Sequence, residues 1–229
     1  SALHRYGTSQ SKTVVAMVLD HLGKPAYSLT FGKLLGRATK VAYMLLTKST
    51  TSSSGKEKIR LCKSGDRVAL VYPNTEPLSF LVAFYGCLLA GVIPVPVEVP
   101  LTKRDAGIQQ LGFLLGGCDV KVALTSETCY KGLPKVSASG HSVTSSSTAG
   151  NSDIEVHFKG WPRLVWLTTE HLSKPPRDWT VPHPSADGSL AYIEYTTDKE
   201  GSVKGVCYTR QAILSHCRSI ITAMGYKEG

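Results

Sequence analysis

One segment of the chain carries side chains well suited to binding an anion. It reads Tyr195-Thr196-Thr197-Asp198-Lys199-Glu200-Gly201-Ser202-Val203-Lys204-Gly205-Val206. Loops of this composition hold phosphate groups when hydroxyls and main-chain N–H groups converge on the anion, and a lysine adds positive charge. Asp198 and Glu200 place negative charge in the same loop. Taken alone, the segment therefore leaves an ordinary exposed hairpin open as the alternative.

The cysteines are the other residues that could perform chemistry. The six of them stand at positions 62, 87, 118, 129, 207 and 217, without a C-x-x-C pair and without a histidine at metal-ligand spacing. We expect reduced thiols in the core or near the surface, as in a cytosolic protein, with a disulfide framework or a zinc site as the alternatives. His216 and Cys217 fall next to each other on a predicted helix, where neighbours do not face each other, so they do not suit a base and nucleophile.

Composition and charge narrow the class of protein. The chain has 229 residues, of which 42% are apolar and 19% charged, enough for one sizeable core. The net charge of +9 is spread along the chain and only 8% of residues are aromatic, which argues against nucleic-acid binding. The longest apolar run, 80–97, contains two glycines and two prolines, so we expect no membrane span. No apolar segment follows the first residues, so no signal peptide is predicted.

The elements that must position the loop follow from apolar patterning. Capped apolar stripes predict helices at 11–22, 30–45, 76–90, 103–117 and 209–224, and compact apolar runs predict strands at 67–72, 92–97, 121–125, 164–167, 190–195 and 205–208. This alternation is typical of an α/β fold with mostly parallel sheets covered by helices, whose ligands bind beyond the carboxyl ends of the strands. The two prolines of 92–97 favour an edge strand or a strand end. Ser/Thr-rich composition predicts flexible loops at 47–58 and 136–152.

Two further segments resemble a known superfamily. Gly65-Asp66-Arg67-Val68-Ala69-Leu70-Val71-Tyr72-Pro73-Asn74 and Phe84-Tyr85-Gly86-Cys87-Leu88-Leu89-Ala90-Gly91-Val92-Ile93-Pro94-Val95-Pro96 are similar to the early core motif of adenylate-forming enzymes. The ending Pro94-Val95-Pro96-Val97 is similar to the fatty acyl-AMP ligase branch. The loop at 195–206 then falls at the position of the phosphate loop of the superfamily.

Five segments together resemble the disco-interacting protein 2 family, whose members carry tandem fatty acyl-AMP ligase-like domains. They are Ser1-Ala2-Leu3-His4-Arg5-Tyr6-Gly7-Thr8, Val97-Glu98-Val99-Pro100-Leu101-Thr102, Gly160-Trp161-Pro162, Lys174-Pro175-Pro176-Arg177-Asp178-Trp179 and Ala191-Tyr192-Ile193-Glu194-Tyr195. The resemblance implies that residues 1–229 form the N-terminal part of one AMP-binding domain. It also implies that the later adenine, magnesium and ribose motifs lie outside these residues, so we expect no turnover from this chain alone.

The resemblance also implies a reaction, in which ATP activates a fatty or short acyl carboxylate as acyl-AMP, with Mg²⁺ in the full domain. CoA would be the second substrate if the activity is that of an acyl-CoA ligase. A transcription-factor partner follows from the family name alone, and a cytoplasmic location, with the nucleus as a second site, is expected. The residues that would hold the phosphates are Thr196, Thr197, Gly201, Lys204 and Gly205.

The chain departs from the family pattern inside this loop. Asp198 stands at a family glycine, Lys199 at a serine, Glu200 at a threonine and Val203 at a proline. Some phosphate-binding hydroxyls are thus replaced, and two carboxylates would repel a nearby phosphate. The alternative function is therefore a non-catalytic module on the same fold, which senses a lipid or nucleotide or binds a protein.

Overall fold

The computed structural model describes residues 2–51, 58–99, 105–133, 135–137, 142–143, 154–156, 158, 160–182, 188–200 and 202–227. The helices are α1 (Ala2–Ser9), α2 (Phe31–Thr47), α3 (Pro77–Ala90), α4 (Asp105–Gly117), α5 (Glu127–Gly132) and α6 (Arg210–Met224). The strands are β1 (Val14–Leu19), β2 (Pro25–Thr30), β3 (Ser49–Thr51), β4 (Lys58–Arg60), β5 (Arg67–Val71), β6 (Ile93–Val97), β7 (Val122–Thr125), β8 (Lys135–Ser137), β9 (Ser142–Val143), β10 (Ile154–Val156), β11 (Val165–Thr168), β12 (Leu190–Thr197) and β13 (Val203–Thr209).

A four-stranded parallel sheet forms the centre of the fold. Its spatial order is β11-β7-β5-β6, and each neighbouring pair is parallel. Helices lie between successive strands, which confirms the predicted α/β class with a parallel sheet covered by helices. The edge position predicted for the strand with two prolines is also confirmed, because β6 lies at one side of this sheet.

Alternate residues of β5 supply two separate cores, one on each face of the sheet. Val68 and Leu70 belong to a core built with α2 and α3, whereas Ala69 and Val71 belong to a core built with α4, β6 and β12. This alternation follows from the two-residue period of a strand. All four side chains are fully buried, so β5 contributes buried side chains to both cores.

Four of the five predicted helices have the boundaries of the structure to within two residues, whereas α1 and α5 were not predicted. Thr30 caps α2 by accepting a hydrogen bond from the Lys33 main-chain N–H at 3.3 Å, and Thr209 caps α6 in the same way from Ala212 at 3.1 Å. Gly91 ends α3 in the left-handed conformation with φ of +70°. Capping side chains and a terminal glycine are therefore readable signals in this chain. None of the helices among the described residues is long and apolar enough to cross a membrane.

The helix predicted at 11–22 is wrong, because these residues form the first strand and turn of a hairpin. β1 pairs antiparallel with β2, and Asp20 Oδ1 accepts hydrogen bonds from the main-chain N–H groups of Leu22 and Lys24 at 2.8 and 2.9 Å. Gly23 adopts φ of +76° in the same turn. The turn that the Asp20 side chain and Gly23 stabilise therefore determines the structure here, although the apolar spacing also fits a helix.

The described ends of the two predicted loops form short paired strands. Within 47–58, Thr47 ends α2, and β3 pairs antiparallel with β4; residues 52–57 lie outside the described residues. Within 136–152, β8 pairs with β9 and with β10, while the remaining residues of that stretch lie outside the described ranges.

Candidate functional site

The carboxyl ends of the parallel strands bring polar side chains to one edge of the sheet. Tyr72 follows β5, Glu98 follows β6, Ser126 follows β7, and Thr169 and Glu170 follow β11. The spatial order of the strands places β5 next to β7 although β6 comes between them in the chain, so the switch point of this sheet lies between β5 and β7. Such a point is a common ligand position in open α/β sheets.

Part of this polar edge is used to hold the structure together. Thr125 Oγ1 donates to the Val71 carbonyl at 2.7 Å, and Ser126 Oγ donates to Glu76 Oε1 at 3.0 Å while capping α5. Glu170 Oε2 accepts from the Glu127 main-chain N–H at 3.1 Å. Both carboxylates therefore satisfy donors near the first turn of α5, which is a structural role.

The Tyr72 phenol is buried at the same edge. Its oxygen lies 2.8 Å from Thr169 Oγ1, which joins the ends of β5 and β11. Burial raises the pKa of Tyr72, and the hydrogen bond with Thr169 opposes this only in part. The phenol is thus a neutral hydrogen-bonding group near neutral pH.

A cleft of about 470 Å³ opens between the ends of β5 and β6 and the end of β12. Its carboxylates, Glu98 and Glu194, are exposed, and the Tyr195 phenol closes one side. Burial raises the pKa of Tyr195, the charge of Glu98 adds to the effect, and a hydrogen bond from the Glu98 main chain opposes it. The lining residues are Tyr72, Pro73, Asn74, Pro77, Phe80, Pro96, Val97, Glu98, Glu194 and Tyr195.

The candidate phosphate loop continues directly from this cleft, at the tip of the hairpin that β12 and β13 form. The strands run further than the sequence predicts, so the connection shrinks to 198–202. Thr196 pairs with Lys204 across the hairpin, and directly opposite residues share one face of the strand pair. The Thr196 and Lys204 side chains thus lie on the same face of the hairpin, where an anion site would need both.

The other predicted phosphate-binding residues have different surroundings. Thr197 pairs with Val203 along the hairpin, and Gly201 lies outside the described residues. Gly205 pairs with Tyr195, and a Cβ added to it would lie 3.0 Å from Leu114 Cδ1. Gly205 therefore allows β13 to approach α4 closely.

Asp198 makes contacts that the sequence analysis missed. Its Oδ1 accepts a hydrogen bond from the Ser202 main-chain N–H at 2.7 Å, and its Oδ2 lies 3.5 Å from Lys204 Nζ. The Asp198 main-chain N–H also donates to the Ser202 carbonyl at 3.0 Å. The signal was the spacing of Asp198 four residues before Ser202, since aspartate side chains often accept from nearby main-chain N–H groups.

The electrostatics of this contact are those of a surface ion pair. The Lys204 side chain is 69% exposed and that of Asp198 is 26% exposed. Pairs of this kind contribute about 0.2–1 kcal/mol and weaken with salt. The contact therefore stabilises the fold little. Asp198 occupies the Ser202 N–H, whereas the largely exposed Lys204 ammonium, with three donors, keeps donors for a phosphate.

A second cavity, of about 540 Å³, lies between α4 and the β12–β13 hairpin. It is lined on the helix side by Phe113, Leu114 and Cys118, and on the hairpin side by Ile193 and Cys207 among others. Burial raises the pKa of the Cys118 thiol, so that thiol is protonated near neutral pH. Nothing in the lining identifies a charged ligand.

Metal ligation finds no support among the described residues. No group of three or more His, Cys, Asp or Glu side chains in those ranges comes together to hold a metal ion. All six cysteines are free thiols, with Cys62, Cys87 and Cys129 buried.

Comparison with known proteins connects this geometry to a family. The family model described as AMP-binding enzyme matches residues 7–228, which include the sheet, the cleft and the hairpin. The chain belongs to the AMP-binding enzyme family. The chain is 55% identical, over all of its residues, to disco-interacting protein 2 homolog B of Homo sapiens, of which it covers 14%. The resemblance predicted from the five sequence segments is confirmed.

Solved structures agree on the fold. The fatty acid AMP ligase from Legionella pneumophila superposes with a TM-score of 0.67 at 18% identity, over 99% of this chain and 33% of that one. A fatty acyl-adenylate ligase from L. pneumophila in complex with acyl adenylate and pyrophosphate superposes with a TM-score of 0.64 at 19% identity and the same coverages of 99% and 33%. The chain thus has the fold of part of an adenylate-forming enzyme and spans a small part of its relatives' length.

Proposed function

We propose that this chain supplies the phosphate-binding hairpin of a domain that activates a fatty or short acyl carboxylate with ATP. In that reaction a carboxylate oxygen attacks the α-phosphorus, acyl-AMP forms, and pyrophosphate leaves. The observation that carries the proposal is the pairing of Thr196 with Lys204 at the hairpin tip, within a region that the AMP-binding family model covers.

Positioning and charge neutralisation would be the contribution of these residues. The Thr196 hydroxyl can donate a hydrogen bond, and the Lys204 ammonium can neutralise charge on the leaving pyrophosphate. The donor types fit a phosphate group, but Lys204 and the Ser202 N–H are held by Asp198, so Asp198 has to move before both can bind one. The proposal therefore includes a rearrangement of this loop.

The substrate class rests on the relatives. The L. pneumophila ligase was solved with acyl adenylate and pyrophosphate, and a medium-chain-fatty-acid ligase of Moorena producens is 28% identical over 70% of this chain. We extend the fatty acyl class to the full protein that contains this chain. Mg²⁺ would accompany ATP there, and CoA would be the acceptor if the product is a thioester.

Pyrophosphate release by the full-length protein tests the proposal, with ATP, Mg²⁺ and a panel of fatty acids and acetate, each with and without CoA. Lys204→Met should lower the rate by about 100-fold, as loss of one preorganised charge-stabilising donor does. Lys199→Met is the matched control, because Lys199 is an exposed lysine of the same loop, and it should change the rate by less than about threefold. Equal losses in both variants would contradict the role of Lys204.

A second function is favoured by the same Asp198 contact. A loop whose lysine and main-chain N–H already contact a carboxylate suits a non-catalytic module that senses a nucleotide or lipid, or binds a protein. Binding of ATP to the full-length protein without release of pyrophosphate would support this function. The transcription-factor partner and the cytoplasmic or nuclear location remain predictions from the family name and composition.

A further inference from the structure

The contacts of Asp198 have the form that a bound anion would have. An anion in a hairpin loop accepts hydrogen bonds from main-chain N–H groups and pairs with a lysine. The Asp198 carboxylate does both, with 2.7 Å from Oδ1 to the Ser202 nitrogen and 3.5 Å from Oδ2 to Lys204 Nζ. One oxygen serves each partner, so the carboxylate spans the gap between them.

We infer that Asp198 is an internal anion that occupies the phosphate subsite of the hairpin and competes there with the phosphates of a ligand. The inference rests on the proposed function, because it concerns the regulation of the same loop. A polyphosphate that binds both groups must displace Asp198 from the Ser202 N–H and compete with it for Lys204. The affinity of the loop for phosphates is therefore determined by a residue of the chain itself.

Glu200 provides the contrast within the same loop. It is exposed, and among the described residues it forms neither a hydrogen bond nor an ion pair. A carboxylate at this position repels a phosphate only through its general charge, which solvent and salt screen. Asp198 repels a phosphate in the same way and, in addition, contacts two groups that could donate to it. The two carboxylates should therefore differ in their effect on phosphate binding.

The test is pyrophosphate binding by calorimetry, on the full-length protein and its Asp198→Asn and Glu200→Gln variants. Asparagine keeps an oxygen that accepts from Ser202 but removes the charge that holds Lys204. Asp198→Asn should bind pyrophosphate about tenfold more tightly than the wild type, whereas Glu200→Gln should gain less than about twofold. Equal gains would show that only general charge matters, and weaker or absent binding by Asp198→Asn would also overturn the inference.

A second measurement addresses the contact itself. Hydrogen exchange of the Ser202 amide should be slow in the wild type and in Asp198→Asn, and faster in Asp198→Ala, because alanine removes the acceptor. Equal exchange in all three proteins would overturn the inference and leave the proposed activity untouched. Conversely, tighter pyrophosphate binding by Asp198→Asn without any acyl-AMP formation would sustain the inference and reject the activity.

Discussion

Gly91 and Gly36 differ in whether the backbone at their position requires a glycine. Gly91 ends α3 with φ of +70°, a conformation that costs other residues about 1–2 kcal/mol. Gly36 lies on the exposed side of α2, and a Cβ added there meets nothing within 4 Å. Glycine is needed at the first position and only tolerated at the second.

We therefore expect opposite effects from one substitution at these two sites. Gly91→Ala should lower the free energy of unfolding by about 1–2 kcal/mol, because alanine is strained at positive φ. Gly36→Ala should raise it by about 1 kcal/mol, because alanine favours the helix. Urea denaturation of both variants measures the difference. The same sign of change in both would contradict the assigned conformations.

The reactivity of the cysteine thiols should follow their exposure to solvent. Burial, with the charge of Asp66, raises the pKa of Cys62 to about 12, and burial also raises that of Cys87. Cys207 and Cys217 are exposed. Since the thiolate is the reactive form, iodoacetamide at pH 8 should label Cys207 and Cys217 well before Cys62 and Cys87. Peptide mass spectrometry measures the order, and labelling in denaturant is the control in which the order should vanish.

At the scale of elements, the contact between α2 and α3 depends on a glycine. A Cβ on Gly86 of α3 would lie 2.6 Å from Cβ and Cγ1 of Val41, which is fully buried on α2. Two helices therefore approach closely where one of them has no side chain. Because protein interiors are densely packed, the helices cannot accept another methyl group without movement.

Gly86→Ala should consequently destabilise the protein by about 1–3 kcal/mol through overpacking. The double variant Gly86→Ala with Val41→Ala should be more stable than the sum of the two single changes predicts, because the shortened valine makes room for the new methyl group. Thermal unfolding of the four proteins of this cycle gives the coupling. Strict additivity would show that the helices do not meet at this pair.

The elements also show what the sequence could and could not predict. Thr30 and Gly91 were readable as helix ends because capping is local chemistry. The first hairpin was misread because Val15, Val18, Leu19 and Leu22 fit a helical stripe, although Asp20 and the glycine after Leu22 form a turn. A periodic pattern in a short segment does not decide between helix and strand when tertiary pairing is unknown.

Across the whole molecule, two cores share the sheet. The side chains of β5 alternate between the two cores. Loss of packing on one face of the sheet therefore also disturbs the strand that lines the core on the other face. Leu70, which is 1% exposed, belongs to the core that α2 and α3 complete. The two cores should therefore unfold together.

Leu70→Ala tests this coupling. It should lower the free energy of unfolding by about 2–5 kcal/mol through the cavity it leaves. Hydrogen exchange should accelerate together in α3, which borders that core, and in α4, which borders the other. Leu22→Ala is the control, because Leu22 is 67% exposed in a turn and should change stability little. Acceleration confined to α3 would show that the cores unfold independently.

The candidate site could be predicted only in part. The composition of 195–206 indicated an anion site, but the pairing of Thr196 with Lys204 depends on the register of the hairpin, which no local pattern gives. Asp198 was expected to repel phosphate, and the structure adds that it binds the groups that would attract one. Such a contact depends on one side-chain rotamer at a loop, which composition does not determine.

The prolines of β6 have a consequence for the contact between the sheet and the β12–β13 hairpin. Pro94 and Pro96 have no N–H, and because the ladder with β5 needs donors at the alternate positions, both prolines leave the outer edge of β6 without these donors. β12 packs beside β6, yet the described strands of the hairpin and the sheet form separate ladders. A tilt of the hairpin would therefore rearrange side chains without breaking backbone hydrogen bonds between the hairpin and the sheet. The sheet and the hairpin can therefore shift relative to each other, and a molecule bound in the cleft, which both of them line, would depend on the angle between them.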